Sequence, residues 1–580
     1  MSEKSSINQK KSNWLTRFIP LFQWLPQYEK GWLRFDLIAG LTVAALVVPK
    51  ALGYAGIAAV PIHYGLYAAA AGTILYAIFG TSRQISTGPS SALAAVAGSA
   101  VLLTGLSGSD DAVALVAAIT FVTGILFLLL NLFKMGWISQ FLSKAVITGF
   151  LFGAAIEVVI GELPKITGTS VEGSSSWQKL ASWLVGLPET DGTTLLVGLI
   201  SLIVIFGLRR VVPKIPGALV LVVGGLIASA VFGLGERGLA LVGDVPSGLP
   251  SVALPNLQLM LANLPVIGAA SIGLLLIGFS QSAGDARAFA SRHHYQVDIN
   301  QESLAQGISN IGSGLVQGIP VSTSLSASSL NDTSGAKTPV SSLTTGAVII
   351  LTLLFLAPLF SGLPKAVLGA LIIDAVVMGM MDVPEMRRLY RVVRIDFWIA
   401  IAAILGVLSS GVLAGVMIGI ALSIGWLVYI SATPHMQVLG KQPGTQVFWG
   451  VDDHPNSETY PGLLVLRFDA GLFFASADAL ADRLIDLHHQ ADPKLHTVVL
   501  DFEGVNFIDS QGSETIAELI DMASSRDIEL RLARVKTMIK DLLQRDGIVE
   551  KLGEDRIYGN VYEAIVDKIP GVPVPSAGSE

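Results

Sequence analysis

The 580-residue sequence contains no cysteine, and only 14% of its residues are charged. The absence of cysteine excludes disulfides, thiol chemistry and metal sites with cysteine ligands. The net charge of −7 gives no basis for nucleic-acid binding. The sequence also lacks a nucleophile motif, a phosphate-binding glycine loop and any His/Asp/Glu spacing typical of a metal site. We therefore expect neither an enzyme nor a resident cofactor.

Apolar residues are abundant instead: they make up 52% of the chain and raise its mean hydropathy to +0.64. Several apolar runs approach the ~20 residues that cross a bilayer. Hydropathy, with glycine, proline and charge as boundaries, predicts a polytopic α-helical membrane protein with about fourteen transmembrane segments. The predicted spans are 36–56, 62–80, 88–104, 112–132, 138–160, 193–208, 217–234, 264–284, 303–316, 322–333, 340–360, 363–381, 396–409 and 411–431.

The charges of the loops predict an orientation. Basic residues fall on alternate loops, among them Arg83, Lys134, Arg209, Lys214 and Arg388, and the other loops hold mostly acids. We expect a multi-pass protein of the plasma (bacterial inner) membrane, embedded in the lipid bilayer, and the positive-inside rule places its N- and C-termini in the cytoplasm. Residues 1–34 are basic but do not have the pattern of a cleaved signal peptide, so we expect a cytoplasmic N-terminal segment there.

A change of composition divides the chain. We predict a transmembrane transport domain at 35–431, a linker at 432–460, a small soluble domain at 461–568 and a flexible tail at 569–580. Within the soluble part, GLLVLRFD, HTVVLDF and IELRLAR are typical of short strands, and the segments between them are typical of amphipathic helices. This alternation predicts a small cytoplasmic α/β domain.

Two short segments at matching positions stand out, residues 85–98 (ISTGPSSALAAVAG) and 318–331 (GIPVSTSLSASSLN). Each places glycine and proline before a Ser/Thr cluster and a span too short to cross the membrane. They are the third and tenth of fourteen spans. Such a pair is typical of a 7+7 inverted-repeat transporter that binds its substrate between half-helix ends, although either segment alone would also suit close helix packing. Half-helix N-termini, each with roughly +0.5 charge, favour an anion.

Two charged residues within or next to the predicted spans are candidates for the site. Lys50 lies mid-span in VVPKALGYA, where a buried ammonium costs at least ~2.5 kcal/mol, so we expect it to face a cavity or a partner. Asp285 follows Gln281 by one helical turn. It either lies buried beside Gln281 or pairs with Arg287 or Arg292 at the helix end.

Several motifs in consistent order resemble the sulfate permease (SulP) family of anion transporters: LRFDLIAGLTVAALVVPKALGYAGIAAVP, GLYAA, AIFGTSRQISTGPSSALAAVAG, NQESLAQGISNIGSGLVQGIP and LNDTSGAKTPVSSL. VVLDFEGVNFIDSQGSETI, followed by GIVEKLGEDRIYGNVYEAI, resembles the STAS domain that usually follows the membrane domain. The resemblance covers roughly residues 28–568. It implies a 7+7 inverted repeat, a core domain that moves like an elevator against a gate domain, and a homodimer.

The resemblance also implies site residues. It places the substrate between the third and tenth spans, with contributions from the first and eighth. The implied substrate-binding residues are Lys50, Tyr54, Ser90, Ser91, Gln281, Ser324, Leu325 and Ser326. In family members coupled to sodium, the ion lies near the tenth-span N-terminus. The implied coupling-ion residues are Gln281, Asp285, Thr323, Ser324 and Leu325, with either Na⁺ or a proton at Asp285.

The sequence departs from the family pattern at three charged positions. Family members commonly have glutamine at the position of Lys50, arginine at that of Ala327 and an acid at that of Gln281. Our hypothesis is that the charges have been relocated, with Lys50 replacing the missing arginine and Asp285 the missing acid.

The soluble domain also departs from the family pattern. Regulated STAS domains have a phosphorylatable residue two positions after an aspartate, where this chain has Gln511, and Ser510 is the remaining candidate regulatory residue. We expect a module for dimerisation, folding or binding of a cytoplasmic protein.

These features predict a secondary active transporter of a small inorganic anion, with elevator-type alternating access. Sulfate is the default substrate, with bicarbonate, chloride or a carboxylate as alternatives, and with Na⁺ or H⁺ coupling open. Two other hypotheses are a non-transporting anion sensor or scaffold that acts through the STAS domain and a nucleobase transporter of the same architecture.

Overall fold

The computed structural model describes residues 18–135, 143–173, 175–212 and 215–569. Four parts of the predictions lie outside these ranges: residues 1–17 of the predicted N-terminal segment, the start of the span at 138–160, Lys214, and residues 570–580 of the tail. The chain forms two compact units that meet in sequence between Ser423 and Ile424.

The first unit is helical, and the described residues place a helix at each of the fourteen predicted spans. Its first half contains α1 (Leu33–Ile57), α2 (His63–Phe79), α3 (Ser91–Thr104), α4 (Asp110–Leu132), α5 (Lys144–Thr167), α6 (Ser176–Gly186), α7 (Gly192–Val211) and α8 (Gly217–Phe232). The second half contains α9 (Leu257–Ala262), α10 (Leu264–His293), α11 (Ile299–Leu315), α12 (Leu325–Thr333), α13 (Val340–Leu351), α14 (Lys365–Met380), α15 (Val383–Val392), α16 (Arg394–Ser410) and α17 (Val412–Ala432). The fold class of a 7+7 inverted-repeat membrane protein is confirmed.

The helix lengths fit a membrane protein whose spans are not all complete. Within the described ranges, eight helices are long and apolar enough to cross a membrane, and α3 and α8 are shorter apolar helices. The helix α13 continues through a π-helical turn (Thr352–Leu356) and a 3₁₀ turn (Ala357–Gly362), which together cover the predicted span at 340–360. The helix α10 runs on to His293, beyond its predicted end at 284, so Asp285 lies inside the helix.

Packing divides the helices into two groups. In one group α1, α2, α3 and α4 pack against α10, α11, α12 and α13, and in the other α5, α7, α8, α14 and α16 pack together. Glycines permit the closest approaches: a Cβ at Gly124 of α4 would lie 2.6 Å from the Ile311 nitrogen of α11, and one at Gly149 of α5 would lie 2.4 Å from the Ala400 oxygen of α16. We call the first set the core group and the second the gate group, after the two domains that the family resemblance implies.

The second unit is an α/β domain. It contains β3 (Met436–Lys441), β4 (Phe448–Gly450), β5 (Leu463–Phe468), α18 (Ala477–Gln490), β6 (Thr497–Asp501), α19 (Ser510–Ser525), β7 (Glu529–Ala533), α20 (Thr537–Arg545), α21 (Ile548–Leu552) and β8 (Ile557–Tyr558). The sheet order is β4-β3-β5-β6-β7-β8, with β5 to β8 parallel. Alternate residues of the strands, such as Leu466, Leu500 and Leu532, are fully buried against the helices.

The prediction of a linker at 432–460 is wrong in part, because β3 and β4 belong to the sheet and pair with β5 and with each other. The linker prediction followed the many proline, glycine and polar residues between 432 and 460, among which strands as short as β3 and β4 carry little signal of their own. A buried arginine on β7 holds the last described segment of the domain: Arg531 donates two hydrogen bonds, of 2.6 and 2.7 Å, to the Asp567 carboxylate. These bonds hold the pKa of Asp567 below its usual value.

Candidate functional site

The two half-helix openings predicted from the sequence meet in space. Residues Thr87–Pro89 form β1 and residues Val321–Thr323 form β2, and the two short strands pair antiparallel with Thr87 opposite Thr323. All six residues are buried. Because strand pairing satisfies the backbone here, the chain can enter the middle of the membrane unit without leaving buried N–H groups unpaired.

A half-helix follows each strand. Pro89 ends β1, Ser90 has extended backbone angles, and α3 begins at Ser91. On the other side Ser324 is extended, and α12 begins at Leu325. The Ser324 hydroxyl accepts a hydrogen bond from the Ala327 nitrogen at 3.4 Å, whereas the first turn of α3 has no side-chain cap. Two helix N-termini therefore start from one strand pair, an arrangement that favours negative charge.

The side chain of Lys50, on α1, contacts the start of α12. Its ammonium donates a hydrogen bond to the Ser326 hydroxyl at 3.0 Å, across 276 residues of sequence. Leu325 and Ser326 are exposed, and Lys50 is half-buried, so this corner of the site is open. The structure brings a cation to the helix where family members commonly have their arginine, next to the buried Ala327.

Tyr54 follows Lys50 by one turn of α1 and is buried. Its hydroxyl interacts with the side chain of Ser91, the first residue of α3. Ser90 is half-buried beside it. Seven of the eight predicted substrate-binding residues thus lie around the two helix starts: Lys50, Tyr54, Ser90, Ser91, Ser324, Leu325 and Ser326.

Asp285, the acidic residue on α10, contacts β2 of the strand pair. Asp285 accepts a hydrogen bond from the Thr323 hydroxyl at 2.7 Å. It forms no ion pair with Arg287 or Arg292 among the described residues, and Arg292 pairs instead with Asp332 at 3.3 Å. The Gln281 side-chain oxygen, one turn earlier, is buried and has no hydrogen-bond partner in the described part of the chain. Carboxylate, amide and hydroxyl oxygens of this kind suit a hard cation.

A polar face of α11 supports the strand pair, and our sequence analysis missed it. The Asn310 side chain bonds both to the Val321 nitrogen (3.0 Å) and to the Val321 oxygen (2.9 Å), and Gln306 donates to Thr87 at 3.1 Å. The signal was present as polar residues at helical spacing in and next to the predicted span at 303–316. These residues, all buried, are Glu302, Gln306, Ser309, Asn310 and Ser313.

An apolar cavity lies elsewhere in the membrane unit. It has a volume of 710 Å³ and is lined by α1, α8 and the segment after α13, with no charged side chain. An anion would lose its hydration there without gaining a partner. The polar residues of the candidate site, not this cavity, are therefore suited to bind an anion.

In the second unit, Ser510 is exposed as the first residue of α19, next to the cap Asp509. The Asp509 carboxylate accepts from the Gly512 nitrogen at 2.8 Å and from the Phe474 nitrogen at 3.1 Å. A regulatory role for Ser510 stays a prediction.

Comparison with known proteins identifies the family. A model described as the sulfate permease family matches residues 33–403, and the STAS domain model matches residues 454–564. The chain belongs to the sulfate permease family. Among its relatives, a probable sulfate transporter of Mycobacterium tuberculosis is 34% identical over 540 residues, covering 93% of this chain and 96% of that protein. Sulfate transporter 4.1, chloroplastic, of Arabidopsis thaliana is 30% identical, covering 95% and 83%.

Solved structures share the fold of this sulfate permease family member. Murine solute carrier 26 family member A9, an anion transporter in the inward-facing state, is 21% identical with a TM-score of 0.87, covering 98% of this chain and 96% of that chain. The transmembrane domain of the cyanobacterial bicarbonate transporter BicA is 21% identical with a TM-score of 0.58, covering 69% and 99%. The chain is thus a multi-pass membrane transporter with a C-terminal STAS domain.

Proposed function

We propose that this family member is a secondary active transporter of a small inorganic anion, with sulfate as the first substrate to test, and that it works by elevator-type alternating access. The carrying observation is the convergence of two half-helix N-termini and the Lys50 ammonium at one strand pair. Two positive dipole ends and one cation provide attraction for an anion, and the hydroxyls around them supply hydrogen-bond donors.

Residue roles follow from these contacts. Lys50 and the N–H groups at the starts of α3 and α12 bind the anion, and Tyr54, Ser90, Ser91, Ser324, Leu325 and Ser326 shape its surroundings. The relation between Lys50 and Ser326 supports the hypothesis of relocated charge, because the cation acts on the helix where Ala327 carries none.

Coupling of transport to an ion gradient is proposed to involve Asp285, which contacts β2 of the strand pair. We propose that Asp285 takes up Na⁺ or a proton, with Gln281 and Thr323 as neighbours. The charge balance supports this role. The side chains of Lys50 and Asp285 together carry no net charge, so a cation at Asp285 adds a net positive charge to the helix dipoles that attract a divalent anion.

Three further expectations complete the proposal. The protein acts in the plasma membrane with both termini in the cytoplasm, as the loop charges indicate. It forms a homodimer, as its family membership suggests. Its STAS domain serves dimerisation, folding or the binding of a cytoplasmic protein.

The test is uptake by the purified protein in proteoliposomes. Labelled sulfate, bicarbonate, chloride and succinate are offered in turn, with Na⁺ and proton gradients imposed separately. We expect saturable uptake of at least one of these anions. Saturable binding without uptake would favour the sensor, and inhibition by uracil or xanthine would favour the nucleobase transporter.

A further inference from the structure

An ion pair between an exposed arginine and a buried carboxylate lies on the gate group, beside the candidate site. The Arg209 guanidinium at the end of α7 donates to one oxygen of Asp374, in the middle of α14, at 2.7 Å. Asp374 is 3% exposed. Its second carboxylate oxygen is buried and has no hydrogen-bond partner in the part of the chain that the structure describes.

The helix that carries Asp374 passes both halves of the site. A Cβ at Gly53 of α1 would lie 3.3 Å from the Ile372 side chain, so α1 and α14 are in direct contact near Lys50. A Cβ at Gly379, further along α14, would lie 3.6 Å from the Ser91 hydroxyl oxygen. Both members of the ion pair therefore lie close enough to act on the Lys50 ammonium across the boundary between the two helix groups: Arg209 repels it and Asp374 attracts it.

Lys50 needs a negative partner whenever the site is empty. A bound anion supplies one in the loaded carrier. Within the described residues Lys50 forms no ion pair, and its hydrogen-bond partner is the neutral Ser326. Asp285 shares the core group with Lys50, so their separation does not change when that group slides. Asp374 is on the other group, so its distance from Lys50 changes with the sliding movement.

We propose that Asp374 is the counter-charge of Lys50 in the empty carrier, and that it thereby allows the core to return without an anion. The unpartnered oxygen of Asp374 takes the place of the anion at the Lys50 ammonium during this return, while Arg209 holds the other oxygen. Asp374 is thus a positioning residue that decides between net transport and obligatory exchange. This inference rests on the proposed transport function.

The test compares two assays of the full-length protein in vesicles of phosphatidylethanolamine and phosphatidylglycerol. Net uptake of labelled sulfate into sulfate-free vesicles requires the empty carrier to return, whereas exchange into vesicles preloaded with unlabelled sulfate does not. For Asp374→Asn we expect net uptake to fall about tenfold, equivalent to about 1.4 kcal/mol on the return step, with exchange kept within about twofold. Glu162→Gln is the matched control, because Glu162 is another buried gate carboxylate with one basic partner, Lys165 at 2.7 Å.

A second variant separates this role from a structural one. Arg209→Gln frees Asp374 to bind Lys50 more strongly, so net uptake should persist while the KM for sulfate in exchange rises, because Asp374 competes with the anion. A merely structural ion pair would make both variants lose both activities in parallel. That result, or an Asp374→Asn variant with unchanged net uptake, overturns the inference. Wild-type protein that moves no sulfate in either assay overturns the proposed sulfate transport, and this inference with it.

Discussion

Replacing Lys50 by alanine tests the anion site most directly. The Lys50 ammonium lies 3.0 Å from Ser326 at the first turn of α12, so it is placed to donate to an anion held there. A hydrogen bond to a charged group is worth about 1.5–3 kcal/mol. At about 1.4 kcal/mol for each factor of ten, its loss raises the KM for the anion by roughly 10- to 150-fold.

The assay is the initial rate of sulfate uptake against concentration in proteoliposomes. Lys365→Ala is the matched control, because Lys365 is an exposed lysine at the start of α14 and is not in the candidate site. Lys50→Arg keeps the charge and should lie closer to wild type. Adding Ala327→Arg to Lys50→Ala should restore part of the affinity, since it returns a cation to α12. A KM for Lys50→Ala within about twofold of wild type refutes the reasoning.

Three other predictions concern coupling, packing and the STAS domain. Asp285→Asn should keep sulfate binding but remove the response of uptake to an imposed Na⁺ or proton gradient; a variant that responds like wild type would exclude Asp285 as the coupling residue. Gly65→Ala should lower the melting temperature in detergent, because its Cβ would lie 2.0 Å from a backbone oxygen of α1 and overpacking costs about 1–3 kcal/mol, whereas Gly192→Ala, which meets open space, should not. Asp567→Asn should remove part of the acid sensitivity of the STAS domain. The depressed pKa of Asp567 means that its stabilising contribution is present above the ordinary aspartate pKa of about 4 and is lost as the pH falls through the lower folded value. Hydrogen exchange of the STAS segment in the whole protein, measured between neutral and acid pH, should therefore show a flatter profile for Asp567→Asn, with the exposed Asp482→Asn unchanged.

The half-helix openings could be predicted because their signals are local. Proline, glycine and serine determine backbone behaviour over a few residues, and Pro89, Ser90 and Ser324 stand at the starts of α3 and α12 as expected. The pairing of Thr87 with Thr323 was beyond the sequence analysis, because it joins residues far apart in the chain and short strands carry little information about register.

The charged groups show the other limit of the sequence. For Asp285 the choice between a buried position and a helix-end ion pair depended on where α10 ends, and helix ends are the least reliable part of such predictions. Asp374 had a local signal, a lone acid in the apolar run LGALIIDAVVMG, but its partner Arg209 belongs to a different helix and was assigned to a loop. Only the packing of α7 against α14 brings the two together.

The arrangement of charge connects the two proposals. One cation and one carboxylate, Lys50 and Asp285, lie on the core group, while a second such pair, Arg209 and Asp374, lies on the gate group. The charges of each pair sum to zero, but among the described residues Lys50 and Asp285 form no ion pair with each other, so the Lys50 ammonium of the empty site has no bonded counter-charge on its own group. A divalent anion adds two negative charges, and a cation at Asp285 offsets one of them. On the two proposals, Lys50 serves binding, Asp285 serves coupling and Asp374 serves the return of the empty site, so substitutions at the three positions should affect three different measurements.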